Sequence, residues 1–142
     1  MYCKTFDEGE SFSCAGNESL MLLPRDETGC AEVAMEIDAV GGRTPPNAHS
    51  TFVQTFIILQ GEAEITIGDG ARRVSAPAVA FIPRNTTHYV RNTGKVELRY
   101  VYITVWPDGI PRAETDGGWK EVYDDMIQEY ADRGFPANRA SE

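Results

Sequence analysis

The chain has 142 residues, 42% of them hydrophobic and 25% charged, as expected for a single globular domain. Its formal net charge of −9 argues against a nucleic-acid partner, because phosphate binding requires a basic surface. The acidic N-terminus lacks the apolar core of a signal peptide, and no apolar run approaches the roughly 20 residues needed to cross a membrane. Three cysteines, none in a CxxC pair, favour a reduced cytoplasmic protein over a disulfide-linked secreted one.

Short apolar or alternating stretches, separated by glycine, proline and asparagine, predict a series of β-strands. The stretch 31–40 alternates apolar residues with the acidic Glu32, Glu36 and Asp38, which predicts a half-buried strand. The stretch 96–106 is the longest strand candidate, and Leu98, Tyr100, Tyr102 and Thr104 share one of its faces. Five further strands are predicted at 19–23, 52–59, 62–67, 79–82 and 87–90, with a shorter one around Val74.

The C-terminal part of the chain has a different periodicity. From Trp119 to Tyr130, apolar and aromatic residues recur at spacings of three and four, which predicts an amphipathic helix docked on the barrel or on a subunit partner. Asp116 is the expected N-cap and Gly134 the expected stop. Together the elements predict an all-β barrel or two-sheet roll with an N-terminal arm (1–18), a barrel domain (19–110) and a C-terminal helical tail (111–142).

Four polar residues are candidates for a site inside this barrel. Asn47 and His49 are two residues apart, so their side chains point the same way on an extended segment. Gln54 lies on the predicted inward face of the next strand, and His88 follows a proline turn on another strand. We therefore expect Asn47, His49, Gln54 and His88 to converge in the barrel interior.

The spacing of these residues resembles the two sequence motifs of the cupin family. The first motif is matched by Gly41, Asn47, His49, Gln54 and Gly61, and the second by Pro83, His88 and Asn92. The likeness covers about residues 30 to 106 and implies a jelly-roll β-barrel of the cupin type. Because small cupins commonly dimerise, the resemblance also implies a homodimer.

The departures from the family pattern bear on function. Asn47 stands where the family has its first histidine, and Gln54 stands where it has a glutamate; Pro77 and Asn85 replace two glycines. Asparagine tolerates the left-handed conformation better than most residues, so the change at Asn85 is mild. Two imidazoles and two amide oxygens suit a divalent Mn, Fe, Co, Ni or Zn ion, bound more weakly than by three histidines and a glutamate.

Such an ion would keep its full charge, which favours Lewis-acid catalysis over the chemistry of an iron oxygenase with two histidines and one carboxylate. We therefore predict a metal-dependent enzyme that acts on a small substrate bearing a carbonyl or hydroxyl group, as a lyase, isomerase or cyclase. Tyr100 and Tyr102 are candidate catalytic residues, although aromatic core packing is the other interpretation. Phe52, Phe56 and Arg43 are expected to line the substrate pocket.

Two alternatives stay open at this point. One is a cupin dioxygenase, since some related oxygenases dispense with the carboxylate ligand. The other is a non-catalytic, metal-free cupin that holds a small metabolite, in which the polar residues of the barrel simply satisfy one another by hydrogen bonds.

Overall fold

A computed structural model describes residues 1–137 of the chain. Two helices, α1 (Arg25–Thr28) and α2 (Trp119–Asp132), accompany nine strands and two short 3-10 turns (Phe6–Glu8 and Arg112–Glu114) in that range. The strands are β1 (Glu10–Cys14), β2 (Asn17–Leu23), β3 (Ala31–Asp38), β4 (Val53–Gln60), β5 (Glu62–Ile67), β6 (Gly70–Ser75), β7 (Ala78–Ile82), β8 (His88–Asn92) and β9 (Leu98–Val105).

The strands form two antiparallel sheets that face each other. The large sheet has the order β1-β2-β3-β9-β4-β7, and the small sheet has the order β6-β5-β8. A buried cluster fills the space between them, made of Phe56, Ile58, Ala63, Ile65, Ile82, Val90, Leu98 and Tyr100. This architecture confirms the predicted all-β jelly-roll barrel with a C-terminal helix.

The central strand β9 decides which side chains share the inner face of the large sheet. Tyr102 lies opposite Phe56 of β4, and Tyr100 lies opposite Glu36 of β3. Side chains at paired positions point to the same face of a sheet. The register therefore places the acidic face of β3 beside the tyrosines of β9, towards the barrel interior.

The prediction of a half-buried strand at β3 is wrong, because both of its faces are buried. Glu32 and Asp38 have no exposed surface, and Glu36 is 8% exposed. On the opposite face, Met35 and Ile37 pack in a second apolar cluster with neighbouring strands. Alternation of polar and apolar residues therefore marks the polar interior of the barrel here, not a solvent-facing side.

Helix α2 packs against the barrel, which was one of the two predicted positions for it. Tyr123 and Tyr130 are buried, and the helix ends before Gly134, which has the positive φ of 93° expected of a stop. The predicted N-cap at Asp116 is wrong, since the Trp119 amide that begins the helix donates a 3.1 Å hydrogen bond to Asp26.

Neither helix within residues 1–137 is long and apolar enough to cross a membrane. The last five residues of the predicted tail, 138–142, lie outside the described residues.

The outer face of the large sheet exposes apolar side chains at its β7 edge. Phe81 is 57% exposed and Val79 is 70% exposed, and Leu59 of β4 is 49% exposed. The homodimer expected from the sequence stays a prediction.

Candidate functional site

A cavity of about 140 Å³ lies between the two sheets and is closed on one side by α2. Most of its wall is aromatic or aliphatic, with polar groups concentrated in a few places. The lining residues include Cys14, Ser19, Arg25, Glu32, Glu36, Asn47, His49, Phe52, Gln54, Phe56, His88, Tyr100, Tyr102, Thr104, Tyr123 and Tyr130. A cavity of roughly 150 Å³ accommodates a molecule the size of benzene. The space therefore suits a small organic ligand.

The structure brings both histidines of the chain to this cavity. The ring centroids of His49 and His88 are 5.1 Å apart, with the rings inclined at 55°. Two imidazoles that occupy neighbouring positions on one ion, with metal–nitrogen bonds of about 2.1 Å, have centroids about 4.5–5.5 Å apart. The spacing of the two rings thus matches shared metal coordination.

Backbone hydrogen bonds hold the two histidine segments together. Asn47 and His88 exchange both possible backbone bonds, at 3.1 and 2.8 Å, so the segment before His49 pairs with β8. The Asn85 amide donates to the His49 carbonyl at 2.7 Å. Asn85 adopts the left-handed conformation with φ 57°, which fits the residue that replaces the family's turn glycine. The turn before β8 therefore fixes the backbone of His49.

Both imidazoles are held in the neutral form at neutral pH. Burial lowers the pKa of His49 to about 4, with a smaller contribution from His88, and burial also lowers the pKa of His88. The Nδ1 atom of His88 lies 3.0 Å from the Thr86 carbonyl oxygen, which can only accept, so Nδ1 carries the proton. This bond leaves the Nε2 lone pair of His88 for a ligand, as in many metal-binding histidines.

The two amides predicted as ligands have different surroundings. Gln54 donates from Nε2 to the Thr104 hydroxyl at 3.0 Å, and its Oε1 atom accepts no hydrogen bond from the described residues. In contrast, both polar atoms of the Asn47 side-chain amide have partners in α2 or directly after it. Its Nδ2 group donates to the Tyr130 hydroxyl, and its Oδ1 atom accepts a 3.2 Å hydrogen bond from Arg133. Gln54 thus keeps an oxygen for an ion, while Asn47 holds the region around α2.

Two of the residues predicted to line the pocket are aromatic neighbours of the histidines, and a third packs behind one of them. Phe52 stacks on His49 with centroids 4.2 Å apart, and Phe56 lies 6.1 Å from His88. Tyr100 packs 5.1 Å from Phe56. Arg43 is not brought into the cavity: it is exposed, with its guanidinium group 5.2 Å from the Phe135 ring.

Tyr102 belongs to a buried hydrogen-bonded chain that ties α2 to β3. Its hydroxyl lies 3.3 Å from the Tyr123 hydroxyl, which donates to Glu32 at 2.7 Å. Arg25 binds the same carboxylate with two bonds of 2.8 and 2.9 Å and donates to the Glu114 carbonyl at 2.7 Å. Burial is the main reason why the pKa values of Tyr102 and Tyr123 are raised. The next cause is the Tyr123 phenol for Tyr102 and the Glu32 carboxylate for Tyr123. Both phenols therefore keep their protons at neutral pH.

Sequence reasoning missed the acidic group at the other end of the cavity. Glu36 lines it and accepts a 2.9 Å hydrogen bond from Ser19, which is 1% exposed. Burial, together with the charge and hydrogen bond of Asp38, raises the pKa of Glu36. The signal was available in the alternation of β3, but only the pairing of β3 with β9 shows that Glu36 faces inwards.

Within residues 1–137, no three His, Cys, Asp or Glu side chains are grouped so that they could hold a metal ion. An ion held by the two imidazoles would thus need at least one ligand of another type. The Oε1 atom of Gln54 is the protein atom whose chemistry fits that position.

The comparisons with known proteins agree with this fold. The family model of the cupin domain matches residues 34–105, just over half of the chain. No curated protein sequence matches significantly.

Three solved structures illustrate the likeness. A predicted oxalate decarboxylase from Thermotoga maritima has a TM-score of 0.66 and 19% identity, over 73% of this chain and 98% of that one. A cupin domain from Schizosaccharomyces pombe has a TM-score of 0.65 and 19% identity, over 73% and 68%. A Cupin 2 conserved barrel domain protein from Salinispora arenicola has a TM-score of 0.63 and 17% identity, over 94% and 98%. At these identities the structures share the fold alone, but together with the matching family model they identify the chain as a member of the cupin superfamily.

Proposed function

We propose that the protein is a divalent-metal-dependent enzyme that acts on a small, neutral organic substrate bearing a carbonyl or hydroxyl group. The observation that carries this proposal is the pair of neutral imidazoles, His49 and His88, with ring centroids 5.1 Å apart at the wall of a ligand-sized cavity. Metal binding requires deprotonated ligands, and both rings meet that condition at neutral pH.

The residues that would hold the ion are His49, His88 and Gln54, with remaining positions open to water or substrate. When bound, a divalent Mn, Fe, Co, Ni or Zn ion supplies Lewis-acid polarisation of a carbonyl or hydroxyl oxygen. The Thr86 carbonyl orients the His88 ring, and the Thr104 hydroxyl orients the Gln54 amide. Phe52 covers one face of His49 and limits the access of water.

The charge of the cavity wall favours a neutral substrate. Arg25 is the only Lys or Arg among the described lining residues, and its donors are engaged by Glu32 and the Glu114 carbonyl. The likeness to a predicted oxalate decarboxylase from Thermotoga maritima makes oxalate a candidate. Apart from the proposed ion, this wall offers a dianion no free cationic side chain among the described lining residues, so we favour a neutral compound.

Lyase, isomerase or cyclase chemistry fits the proton donors of the cavity. Tyr102 lines the cavity and keeps its proton at neutral pH, so its hydroxyl can hydrogen-bond a developing negative oxygen by turning from Tyr123 towards the substrate. Among enzyme reactions, dioxygenase chemistry is less favoured because Gln54 takes the position of the carboxylate in the ordinary iron site.

Metal analysis of the protein purified without a histidine tag tests the proposal. We expect close to one transition-metal ion per chain, and loss of that ion in a folded His49→Ala, His88→Ala double variant. The matched control is Asn85→Gly, which keeps the left-handed turn beside His49 and should retain the ion. Absence of metal from the wild type after growth and titration with Mn, Fe, Co, Ni and Zn would contradict the proposal.

A non-catalytic cupin that binds a metabolite is the second candidate, and one observation favours it. The position of the family's first histidine is occupied by Asn47, whose amide contacts Tyr130 and Arg133. In that case the double histidine variant would bind small ligands as well as the wild type does, with or without added metal.

A further inference from the structure

Helix α2 contributes a stripe of side chains to the wall of the cavity. Val122, Tyr123, Met126 and Tyr130 of this helix all line the cavity. Residues four apart are neighbours on one face of a helix, so Val122, Met126 and Tyr130 lie in a row. The apolar periodicity that predicted a docked helix therefore also brings part of this helix to the site.

Hydrogen bonds fix the helix on both sides of Met126. The Tyr123 hydroxyl donates to Glu32 of β3 at 2.7 Å. One turn beyond Met126, the Tyr130 hydroxyl accepts a hydrogen bond from Asn47, whose backbone pairs with β8. The helix thus carries Met126 across the cavity, from β3 to the segments that hold the two histidines.

The part of the wall between these hydrogen bonds is apolar. Val122 and Met126 are half-buried side chains without a hydrogen-bonding hydroxyl, amide or charged group. Phe12 of β1 lines the same cavity, and its ring centroid lies 5.1 Å from that of Tyr123. In ligand pockets of this kind, a few polar groups fix the orientation of the ligand and the apolar wall selects its shape.

We propose that α2 determines the substrate specificity of the site: Val122 and Met126 bound the space for the hydrocarbon body of the substrate, whose oxygen points towards the histidine end (His49, His88 and Gln54). The cavity of about 140 Å³ suits a body about the size of benzene. The substrate class is then a compact, uncharged compound with a hydrocarbon ring or branched chain and its carbonyl or hydroxyl group at one end. This inference deepens the proposed function and rests on it for the reaction, but its test needs no metal.

One compact ligand can reach both the histidine end and this wall. Phe56 lies two residues after Gln54 on β4, so their positions on the inward face are about 7 Å apart. The Phe56 ring centroid is 6.1 Å from that of His88. Tyr102 pairs with Phe56 in the strand register, and its hydroxyl lies 3.3 Å from the Tyr123 hydroxyl of α2. The two regions are thus one inward level apart, a separation that a single substituted ring spans.

Two phenols that differ only opposite the hydroxyl group test the wall: 4-methylphenol and the bulkier 4-tert-butylphenol. Their affinities for the full-length, chelator-treated protein are measured by NMR titration of isotope-labelled protein. Met126→Ala removes the thioether end of the side chain and should raise the affinity for 4-tert-butylphenol relative to 4-methylphenol by at least about tenfold. A single methylene in an apolar pocket changes discrimination by about tenfold or more. Val122→Ala enlarges the same wall one turn away and should shift the ratio in the same direction.

The control is Ile127→Ala on the same helix. Ile127 lies outside the cavity lining, in a groove beside β1, so its truncation should leave the ratio of the two affinities unchanged. Met126→Leu, which conserves volume, should also keep the wild-type ratio and provides a second folded variant. An unchanged ratio in both Met126→Ala and Val122→Ala, an equal shift in Ile127→Ala, or no binding of 4-methylphenol by the wild type would each overturn the inference.

The orientation of the bound probe is read from nuclear Overhauser contacts in the wild type. We expect the methyl protons of 4-methylphenol to contact the methyl groups of Val122 and Met126. The ring protons beside its hydroxyl group should contact His88, whose Nε2 lone pair can accept the hydroxyl proton in the metal-free protein. Contacts of the probe methyl group with the histidine rings, and not with α2, would contradict the proposed orientation.

The outcomes separate this inference from the proposed function. A wall that does not discriminate between the two phenols would remove the role of α2 while leaving a metal bound by His49 and His88 intact. Failure to bind any metal would remove the enzyme proposal while leaving the probe affinities, which are measured without metal, unchanged.

Discussion

Burial shifts the pKa values of the ionisable groups at the two ends of the cavity in opposite directions. At the histidine end, around His49, His88 and Gln54, burial lowers the pKa of two bases, so both imidazoles are neutral at neutral pH. At the carboxyl end, around Ser19 and Glu36, burial and the charge of Asp38 raise the pKa of an acid. The same loss of hydration thus favours the deprotonated form of two bases and the protonated form of an acid. This polarity supports the proposed neutral substrate.

The cavity wall also contains a buried ion pair between Arg25 and Glu32. Breaking this pair should have the largest effect on stability. Glu32→Ala leaves the Arg25 guanidinium group buried without its partner, and breaking such a pair costs about 3–5 kcal/mol. We expect a loss of that size in the free energy of unfolding measured with denaturant. Glu64→Ala, which breaks an exposed pair with Arg91, should cost less than about 1 kcal/mol. Equal losses in the two variants would show that the buried pair does not stabilise the wall.

Gln54→Glu sharpens the contrast by adding an anionic ligand at the histidine end. We expect the affinity for Mn or Fe to rise about tenfold, or about 1.4 kcal/mol, because a carboxylate offsets the charge of the ion better than an amide oxygen does. Isothermal titration of the chelator-treated protein measures the change. The control is Gln60→Glu, at an exposed position on the same strand. A similar gain in both variants would indicate a general charge effect and not a ligand at residue 54.

Glu36→Gln removes the ionisable group at the carboxyl end. The folded-state pKa of Glu36 is raised above its ordinary value of 4.5, so its stabilising contribution is present below pH 4.5 and is lost as the pH rises. We therefore expect the stability that the variant gains over the wild type to increase with pH above pH 4.5. Denaturant unfolding at several pH values measures this difference.

Ser19→Ala provides the companion to that measurement. Its hydroxyl donates to Glu36 and lowers the pKa of that carboxyl group, so its removal should make the stability fall more steeply with rising pH. A pH-independent difference between Glu36→Gln and the wild type would contradict the raised pKa.

Tyr130→Phe is expected to have the smallest effect, and it tests what closes the cavity. The variant removes the hydrogen bond between the Tyr130 hydroxyl and Asn47, which should cost about 1 kcal/mol. Thermal unfolding measures the loss, and Tyr89→Phe on the partly exposed β8 is the control. If Asn47 instead serves as a metal ligand, Tyr130→Phe should leave the fold equally stable and tighten metal binding.

Much of the fold was determined by the sequence itself. Apolar periodicity and turn residues located the strands and the helix, because these signals depend on neighbours within a few positions. The motif spacing placed His49 and His88 on segments that the barrel closure brings together, and it put Phe52, Gln54 and Phe56 on the inward face of one strand.

The tertiary structure alone decided the rest. The inward direction of Glu36 depends on the register of β3 against β9, and the role of Asn47 depends on contacts with Tyr130 and Arg133, more than 80 residues away. The alternation of β3 reads the same whether its acidic face meets water or a closed cavity. Side-chain periodicity records that two faces differ, whereas packing against distant strands determines what each face meets.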